Sequence, residues 1–250
     1  NIQRADIDKD NIKHYIAKSK INDDCKKAIK TILDCLSKCS SPLIIAGAGI
    51  RSCNLQKEFV KFVNRFKIPT VTSMIGINEL KKKNPFNFGM LGAYGCRTAN
   101  FLIEQSDLII SLGSRLDCRQ TGSKKEIFAT NAKLIRIDID KNELTNVIKP
   151  DEIQLCCDLK ILLPELAKLL PKTYHNEWIK KCDFINNKLS KYDQQPLNKI
   201  IEDISKFVPE NSIITTDVGQ NQVWVAQSFK NKANQKVLFS GGLGSMGYSL

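Results

Sequence analysis

Residues 213–250 hold the backbone and side chains best suited to chemistry. A run of small residues, Ser240-Gly241-Gly242-Leu243-Gly244-Ser245-Met246-Gly247, follows an apolar segment, Lys236 to Phe239. Glycine lets backbone approach a ligand closely and adopt positive φ without penalty. Upstream, Ile213-Ile214-Thr215-Thr216-Asp217-Val218-Gly219-Gln220 reads as a buried strand, a glycine turn and a helix start. Backbone N–H groups at such a junction suit phosphate oxygens. Gln220 and Asn221 add side-chain amides to the same place. A bare helix N-terminus is the alternative there. Met246 alternatively reads as core filler.

Four earlier segments carry further candidates. Gly47-Ala48-Gly49 follows an apolar run and turns toward a helix. A dinucleotide fingerprint would need a third glycine where Ser52 stands and an acid closing the next strand. That strand ends Thr72-Ser73-Met74, so the match is poor, and a tight turn without a ligand is the alternative. The loop Gly113 to Gly122 presents Arg115, Asp117 and Arg119 after a buried strand. Guanidinium groups take phosphate or carboxylate bidentately. The carboxyl edge of a sheet is where ligands sit. An Arg–Asp pair bracing the loop is the alternative. Ile135 to Asp140 ends in the acids Asp138 and Asp140, which can accept from ribose hydroxyls. Asp140 also suits the cap of a helix beginning at Lys141, and Asp158 suits the cap of the next one. Finally, Met90-Leu91-Gly92-Ala93-Tyr94-Gly95 is a second glycine turn.

The elements that must position these residues alternate. Apolar strand-like runs stand at Pro42 to Ala46, Pro69 to Met74, Asp107 to Leu112, Lys133 to Ile139 and Ile153 to Cys157. Helical periodicity marks 10–38, 54–67, 95–105 and a segment reaching Leu170. This alternation with short glycine turns predicts an α/β fold, a doubly wound parallel sheet. Residues 172–196 read as polar and helical, then as a linker containing Pro196. A second, incomplete α/β unit follows: a helix at 197–207, a strand at 212–217 and a helix at 219–229. We therefore expect a nucleotide-binding-like domain over 1–190 and the beginning of another over 191–250.

Composition excludes several classes. The chain has 250 residues and 42% apolar content, ordinary for a globular protein. No run of eighteen apolar residues exists, so no membrane span is expected. The net charge is +12, yet the lysines are scattered and the longest run is Lys81-Lys82-Lys83. We read them as solvated and expect no nucleic-acid partner. The nine cysteines form no C-x-x-C and only His14 and His175 accompany them, so no metal site is expected. Their odd number fits reduced thiols in a cytoplasmic protein.

The stretches Asp217 to Trp224 and Ser240 to Gly247 resemble the D-V-G-Q-x-Q-x-W and S-G-G-L-G-x-M-G motifs of thiamine-diphosphate-dependent enzymes, most closely the acetohydroxyacid (acetolactate) synthase group. Arg115, Asp117, Arg119, Thr121 and Gly122 match that group's G-x-R-F-D-D-R-V-T-G, with Cys118 and Gln120 departing from it. Asp138 and Asp140 match its H-I-D-I-D. Ala93 and Tyr94 depart from its L-G-M-H-G, and Asn221 stands where it has histidine.

The resemblance implies a 2-keto acid substrate, two pyruvates giving acetolactate and CO2, in branched-chain amino acid biosynthesis. It implies thiamine diphosphate at Gly219, Gln220, Asn221, Gly244, Ser245 and Met246, the methionine bending the cofactor. It implies FAD beside Gly47, Ala48, Gly49, Gly92, Gly113, Arg115, Asp138, Asp140 and Asp158, and substrate near Arg119. The group's Mg2+ ligands come after Leu250. Its catalytic glutamate belongs to a domain before Asn1, whose last residues Asn1 to Ala5 resemble. The chain thus reads as a middle slice, without a catalytic residue and inactive alone, of a homodimeric or homotetrameric parent. The departures leave open a sister thiamine-diphosphate lyase, decarboxylase or hydrolase, or a non-catalytic nucleotide-binding module.

Overall fold

The computed structural model describes residues 24–232 and 234–249. The expected helix start at residue 10 and the segment Asn1 to Ala5 lie outside the described residues. Helix α1 (Asp24–Leu36) leads into strand β1 (Pro42–Ala46). Helices α2 (Gly49–Ser52) and α3 (Gln56–Phe66) carry the chain to β2 (Thr70–Thr72) and β3 (Asn87–Met90). Helix α4 (Arg97–Gln105) returns it to β4 (Leu108–Leu112). Then come α5 (Cys118–Thr121), β5 (Lys133–Asp138), α6 (Lys141–Thr145), β6 (Ile153–Cys156), α7 (Leu159–Lys168) and α8 (Asn176–Leu189).

The six strands are all parallel, in the order β3-β2-β1-β4-β5-β6. Strands covered on both faces read as unbroken apolar runs, and every residue of β1 and β4 is buried. Alternation along each strand divides the core in two. Ile44, Ala46, Ile110, Leu112, Ile135 and Ile137 pack with Phe59, Phe62 and Leu162 beneath α1, α3 and α7. Leu43, Ile45, Ile109 and Leu134 pack with Ala99, Leu102, Trp178 and Cys182 beneath α4 and α8. Trp178 also donates its indole N–H to the Pro42 carbonyl at 2.9 Å, pinning α8 to the start of β1.

The strand order reverses between β1 and β4, so the loops leaving these neighbours diverge and a crevice opens at their carboxyl ends. The two loops touch there. Gly47 N–H donates to the Leu112 carbonyl at 2.9 Å and Gly49 N–H to the Gly113 carbonyl at 3.1 Å. A Cβ on Gly47 would overlap the carbonyl oxygen of Gly113.

The second unit runs α9 (Pro196–Phe207), β7 (Ile213–Thr216), α10 (Gln220–Ser228) and β8 (Lys236–Phe239), with β7 and β8 parallel. A third cluster joins it to the first unit. Ile77 and Met90 pack against Val225, Ala226, Phe229, Val237 and Phe239.

Five expectations change. Strand β7 is not a buried strand: Ile213 and Thr215 are exposed, because β8 alone pairs with it among the described strands. Strand β3 was not expected; Asn87 and Gly89 mask a short strand on the edge of the sheet, where pairing with β2 is irregular. Pro196 is the first residue of α9 rather than part of a linker, a position that tolerates its missing N–H. Lys81 and Lys82 are not solvated: they are half-buried, and their ammonium groups bond the carbonyls of Gln235 and Gln227. Cys25 and Cys157 are not reduced thiols. Packing of α1 against β6 and α7 brings their Cα atoms to 5.3 Å and a disulfide joins them, while seven other cysteines are free. No helix among the described residues is long and apolar enough to cross a membrane.

The contact at the strand reversal is testable. Gly47→Ala is expected to cost about 2 kcal/mol or more in urea denaturation, because backbone must move to admit the methyl group. Gly242→Ala, whose added carbon meets nothing within 4 Å, should stay within about 1 kcal/mol of the parent. A Gly47→Ala protein as stable as the parent would contradict the close approach.

Candidate functional site

The carboxyl edge of the six-stranded sheet gathers most of the candidates. Asp138 ends β5 and accepts from Asp140 N–H at 3.0 Å. Burial is the main cause pushing its carboxyl above the usual carboxylate range. Asp140 caps α6 through Asn142 N–H at 2.8 Å, and Asp158 caps α7 through Lys160 N–H at 2.8 Å. The capping alternatives therefore hold for both acids, and each keeps a second carboxylate oxygen. Arg115 pairs through Nε with Glu143 at 2.9 Å, not with Asp117. Asp117 instead caps α5, accepting from Arg119 N–H at 2.9 Å. The guanidinium of Arg119 is left exposed.

The N–H groups of Gly47, Gly49 and Gly113 all bond carbonyls of this chain. A phosphate at this edge would therefore depend on the guanidinium groups of Arg115 and Arg119 rather than on glycine amides. Gly92 has φ 106°, and a Cβ there would overlap the Arg119 carbonyl, which accepts from Ala93 N–H at 2.8 Å. The turn after β3 and the turn carrying Arg119 are thus one packed unit. Leu116, between the two arginines, is buried with φ 52°. A non-glycine residue held there stores strain, a property that concentrates at functional loops.

Behind this edge lies a network that sequence reading missed. Arg136 is 1% exposed, in the middle of β5. It donates to Glu152 at 3.0 Å, to the Asn146 carbonyl at 2.7 Å, to the Glu143 carbonyl at 3.0 Å and to the Arg115 carbonyl at 3.4 Å. Glu152 in turn accepts from the N–H groups of Ile148 and Lys149, each at 3.1 Å. One buried cation therefore ties together the turns after β4 and β5 and the approach to β6. The available signal was an arginine inside an otherwise apolar strand, Leu134-Ile135-Arg136-Ile137.

The second unit brings its own candidates together. Asp217, at the end of β7, accepts from Gly247 N–H at 2.7 Å and from Val218 N–H at 2.9 Å. These bonds, Gly247 first, hold its carboxyl below the usual range. The glycine-rich segment is thereby folded back beside Gly219, Gln220 and Asn221 at the start of α10. Met246 is 87% exposed and Leu243 95%, so Met246 is not core filler. Side chains added at Gly242 or Gly244 would meet nothing within 4 Å. The backbone at Gly242 and Gly244 is therefore open, beside an exposed methionine. Among the described residues, no group of three or more His, Cys, Asp or Glu side chains is arranged to hold a metal ion.

Between the two sites, Glu79 is 1% exposed and neither carboxyl oxygen has a hydrogen-bond partner. Arg51, next to the Gly47 turn, likewise has an unpartnered buried Nη1. Burial pushes the Glu79 carboxyl from 4.5 up to about 8, opposed by Arg51 and then Lys81. A carboxyl raised in the folded state keeps a proton that the unfolded chain releases. Its stabilising contribution is complete below pH 4.5 and is lost as pH rises through about 8. Glu79→Gln should therefore flatten the decline of stability across this window and raise the urea midpoint at its alkaline end. An unchanged slope would contradict the assignment.

Comparison with known proteins agrees with this geometry. Residues 29–166 match the family described as thiamine pyrophosphate enzyme, central domain. Residues 217–250 match the thiamine pyrophosphate enzyme C-terminal TPP binding domain. A probable acetolactate synthase large subunit of Methanococcus aeolicus is 35% identical over 245 residues, covering 89% of this chain and 40% of that protein. The acetolactate synthase large subunit of Lactococcus lactis is 34% identical over 247 residues, covering 96% of this chain and 42% of that protein. The acetolactate synthase isozyme 1 large subunit of Escherichia coli is 31% identical, covering 90% and 40% respectively. The chain thus spans about two fifths of the relatives' length. With its central-domain match covering more than half of its residues, the chain belongs to the thiamine pyrophosphate enzyme family.

Proposed function

We propose that the protein containing this chain is a thiamine-diphosphate-dependent carboligase that converts two pyruvates into acetolactate and CO2. The observation that carries this reading is the bond from Gly247 N–H to Asp217, which sets the glycine-rich segment beside the start of α10. Thiamine diphosphate would supply the carbon nucleophile and the electron sink for decarboxylation. On this reading the chain's own residues bind and orient. Gly219, Gln220 and Asn221 face the diphosphate with a helix N-terminus and side-chain amides. Gly244, Ser245 and Met246 line the aromatic part, where the exposed Met246 gains an apolar partner and excludes water. Mg2+ takes ligands outside the described residues. The exposed guanidinium of Arg119 receives the substrate carboxylate.

In the same proposal FAD occupies the crevice at the strand reversal. Arg115 faces its phosphates, and the free carboxylate oxygens of Asp138, Asp140 and Asp158 face its adenosine. Gly47, Ala48, Gly49, Gly92 and Gly113 line its path on turns whose close packing against one another the glycines permit. The assembly is a homodimer or homotetramer, the common solution for soluble oligomers. One observation favours a second reading, a sister lyase that takes a CoA or ADP moiety here. Tyr94 is exposed and stands where the synthase group has histidine, which alters the surface offered to a flavin ring.

The test uses the whole reading frame that contains this chain, supplied with pyruvate, thiamine diphosphate, Mg2+ and FAD. We expect acetolactate, and we expect Arg119→Ala to lower kcat/KM by about tenfold or more through loss of a charge-assisted contact. The purified protein should be yellow with bound flavin. Cofactor binding without acetolactate, in colourless protein that takes up CoA or ADP, would overturn the synthase reading and support the sister lyase.

A further inference from the structure

The loop between β2 and β3 touches both candidate sites. At one end it is fixed to the central sheet. Ser73 N–H donates to the Ala46 carbonyl at 3.0 Å, and a Cβ on Gly76 would overlap that same oxygen. Ala46 is the residue before Gly47. At the other end the loop holds the second unit. The Asn78 side chain donates from Nδ2 to the Val237 carbonyl at 2.7 Å and accepts from Val237 N–H at 3.0 Å through Oδ1. With both partners belonging to one backbone residue, the orientation of the amide is fixed by its bonds. Asn78 is only 7% exposed, and Asn231 adds a buried contact to its Oδ1 at 3.4 Å.

An amide that satisfies both polar groups of one strand residue stands in for a neighbouring strand. Asn78 therefore gives Val237, in β8, the pairing that a further strand would provide. Two neighbours on the loop repeat the grip. Lys81 donates to the Gln235 carbonyl at 3.1 Å, and Lys82 to the Gln227 carbonyl in α10. Gln227 itself donates to the Tyr94 carbonyl at 2.7 Å and accepts from Asn198 at 2.8 Å. Beyond β8 the chain enters the glycine-rich segment at once, and Gly241 lies against Ile75 of the same loop. A Cβ there would come within 2.7 Å of the Ile75 Cγ2.

We propose that Asn78 is a positioning residue: by pairing with Val237 it sets the height of β8, and with it the glycine-rich segment Ser240 to Gly247, against the central domain. The loop is then a fixed bridge from the Gly47 turn to that segment. Its consequence for cofactor binding rests on the reading that this segment meets thiamine diphosphate. The docking itself does not depend on that reading.

Hydrogen–deuterium exchange on this chain separates the two, comparing the parent with Asn78→Ala and Asn78→Asp. Removing the amide leaves the Val237 groups buried and unpaired, so Asn78→Ala should raise exchange at 236–247 by about tenfold or more. Amides of 43–46 and 108–112 should keep their parental protection, which shows that the central sheet remains folded. Asn78→Asp keeps the shape and the acceptor but, when ionised, has no proton for the Val237 carbonyl. Its protection at 236–247 should be low at neutral pH and recover in acid, where the carboxylic acid can donate again. A packing role alone would not produce that recovery. Parental protection at 236–247 in Asn78→Ala would overturn the proposal, as would loss of protection spread equally over both units. Thiamine diphosphate affinity measured on the same variants in the whole reading frame tests the cofactor reading separately. If exchange changes as expected and affinity does not, the docking stands and the cofactor reading of the segment falls.

Discussion

The structure depends on one close approach, that of the turn after β1 and the turn after β4. These strands are neighbours, yet the chain leaves them in opposite directions. Two backbones must then share a space with no room for a Cβ, as the contact of Gly47 with Gly113 shows. The crevice, the direction of α2 and the start of the Arg115 loop all follow from that contact. The glycines at this edge consequently have a structural duty whether or not a ligand binds, because their N–H groups are already paired within the chain. The parts left for recognition are side chains, Arg115 and Arg119 on one side and Asp138, Asp140 and Asp158 on the other.

Charge inside the fold serves the same edge. A buried ion pair is weak evidence of stability, since desolvating both ions offsets most of their attraction. Arg136 and Glu152 do something more specific. Both terminal nitrogens of Arg136 and one carboxylate oxygen of Glu152 bond main-chain carbonyls and N–H groups of the turns after β4 and β5 and of the approach to β6. The pair ties the turns that carry Arg115, Glu143 and Asn146 to the approach to β6. Glu79 and Arg51 present the opposite case, buried polar groups left without partners. Glu79 belongs to the loop that bridges the two units, and Arg51 in α2 lies beside it.

Much of this was legible in the sequence because it follows from local pattern. Apolar runs marked β1, β4 and β5, interrupted by Ser111 in β4 and Arg136 in β5, where covering on both faces demands them. The glycine-rich run and the strand–turn–helix at Asp217 to Gln220 marked the second site. What escaped depends on partners distant in the chain. Strand β3 has a glycine and an asparagine where propensity asks for branched residues, and only pairing with β2 makes it a strand. The bond between Cys25 and Cys157 spans 132 residues, and no spacing rule announces it. Lys81 and Lys82 read as solvated and Asn78 carried no signal; their roles come from backbone groups of the second unit that reach them. Asp140 and Asp158 cap their helices, the alternative that the sequence had left open beside a nucleotide role, while Arg115 found Glu143 rather than Asp117.

The account holds that two sites, one at the strand reversal and one at the glycine-rich segment, are kept in register by packing across the loop from Ser73 to Lys82. Its central claim is that the second of these meets thiamine diphosphate. Calorimetric titration of thiamine diphosphate into protein made from the whole reading frame, with Mg2+ and again with a chelator, tests this most directly. The account predicts saturable binding of one cofactor per chain that is lost on chelation. Heats of dilution alone under both conditions, in protein that remains folded, would contradict it.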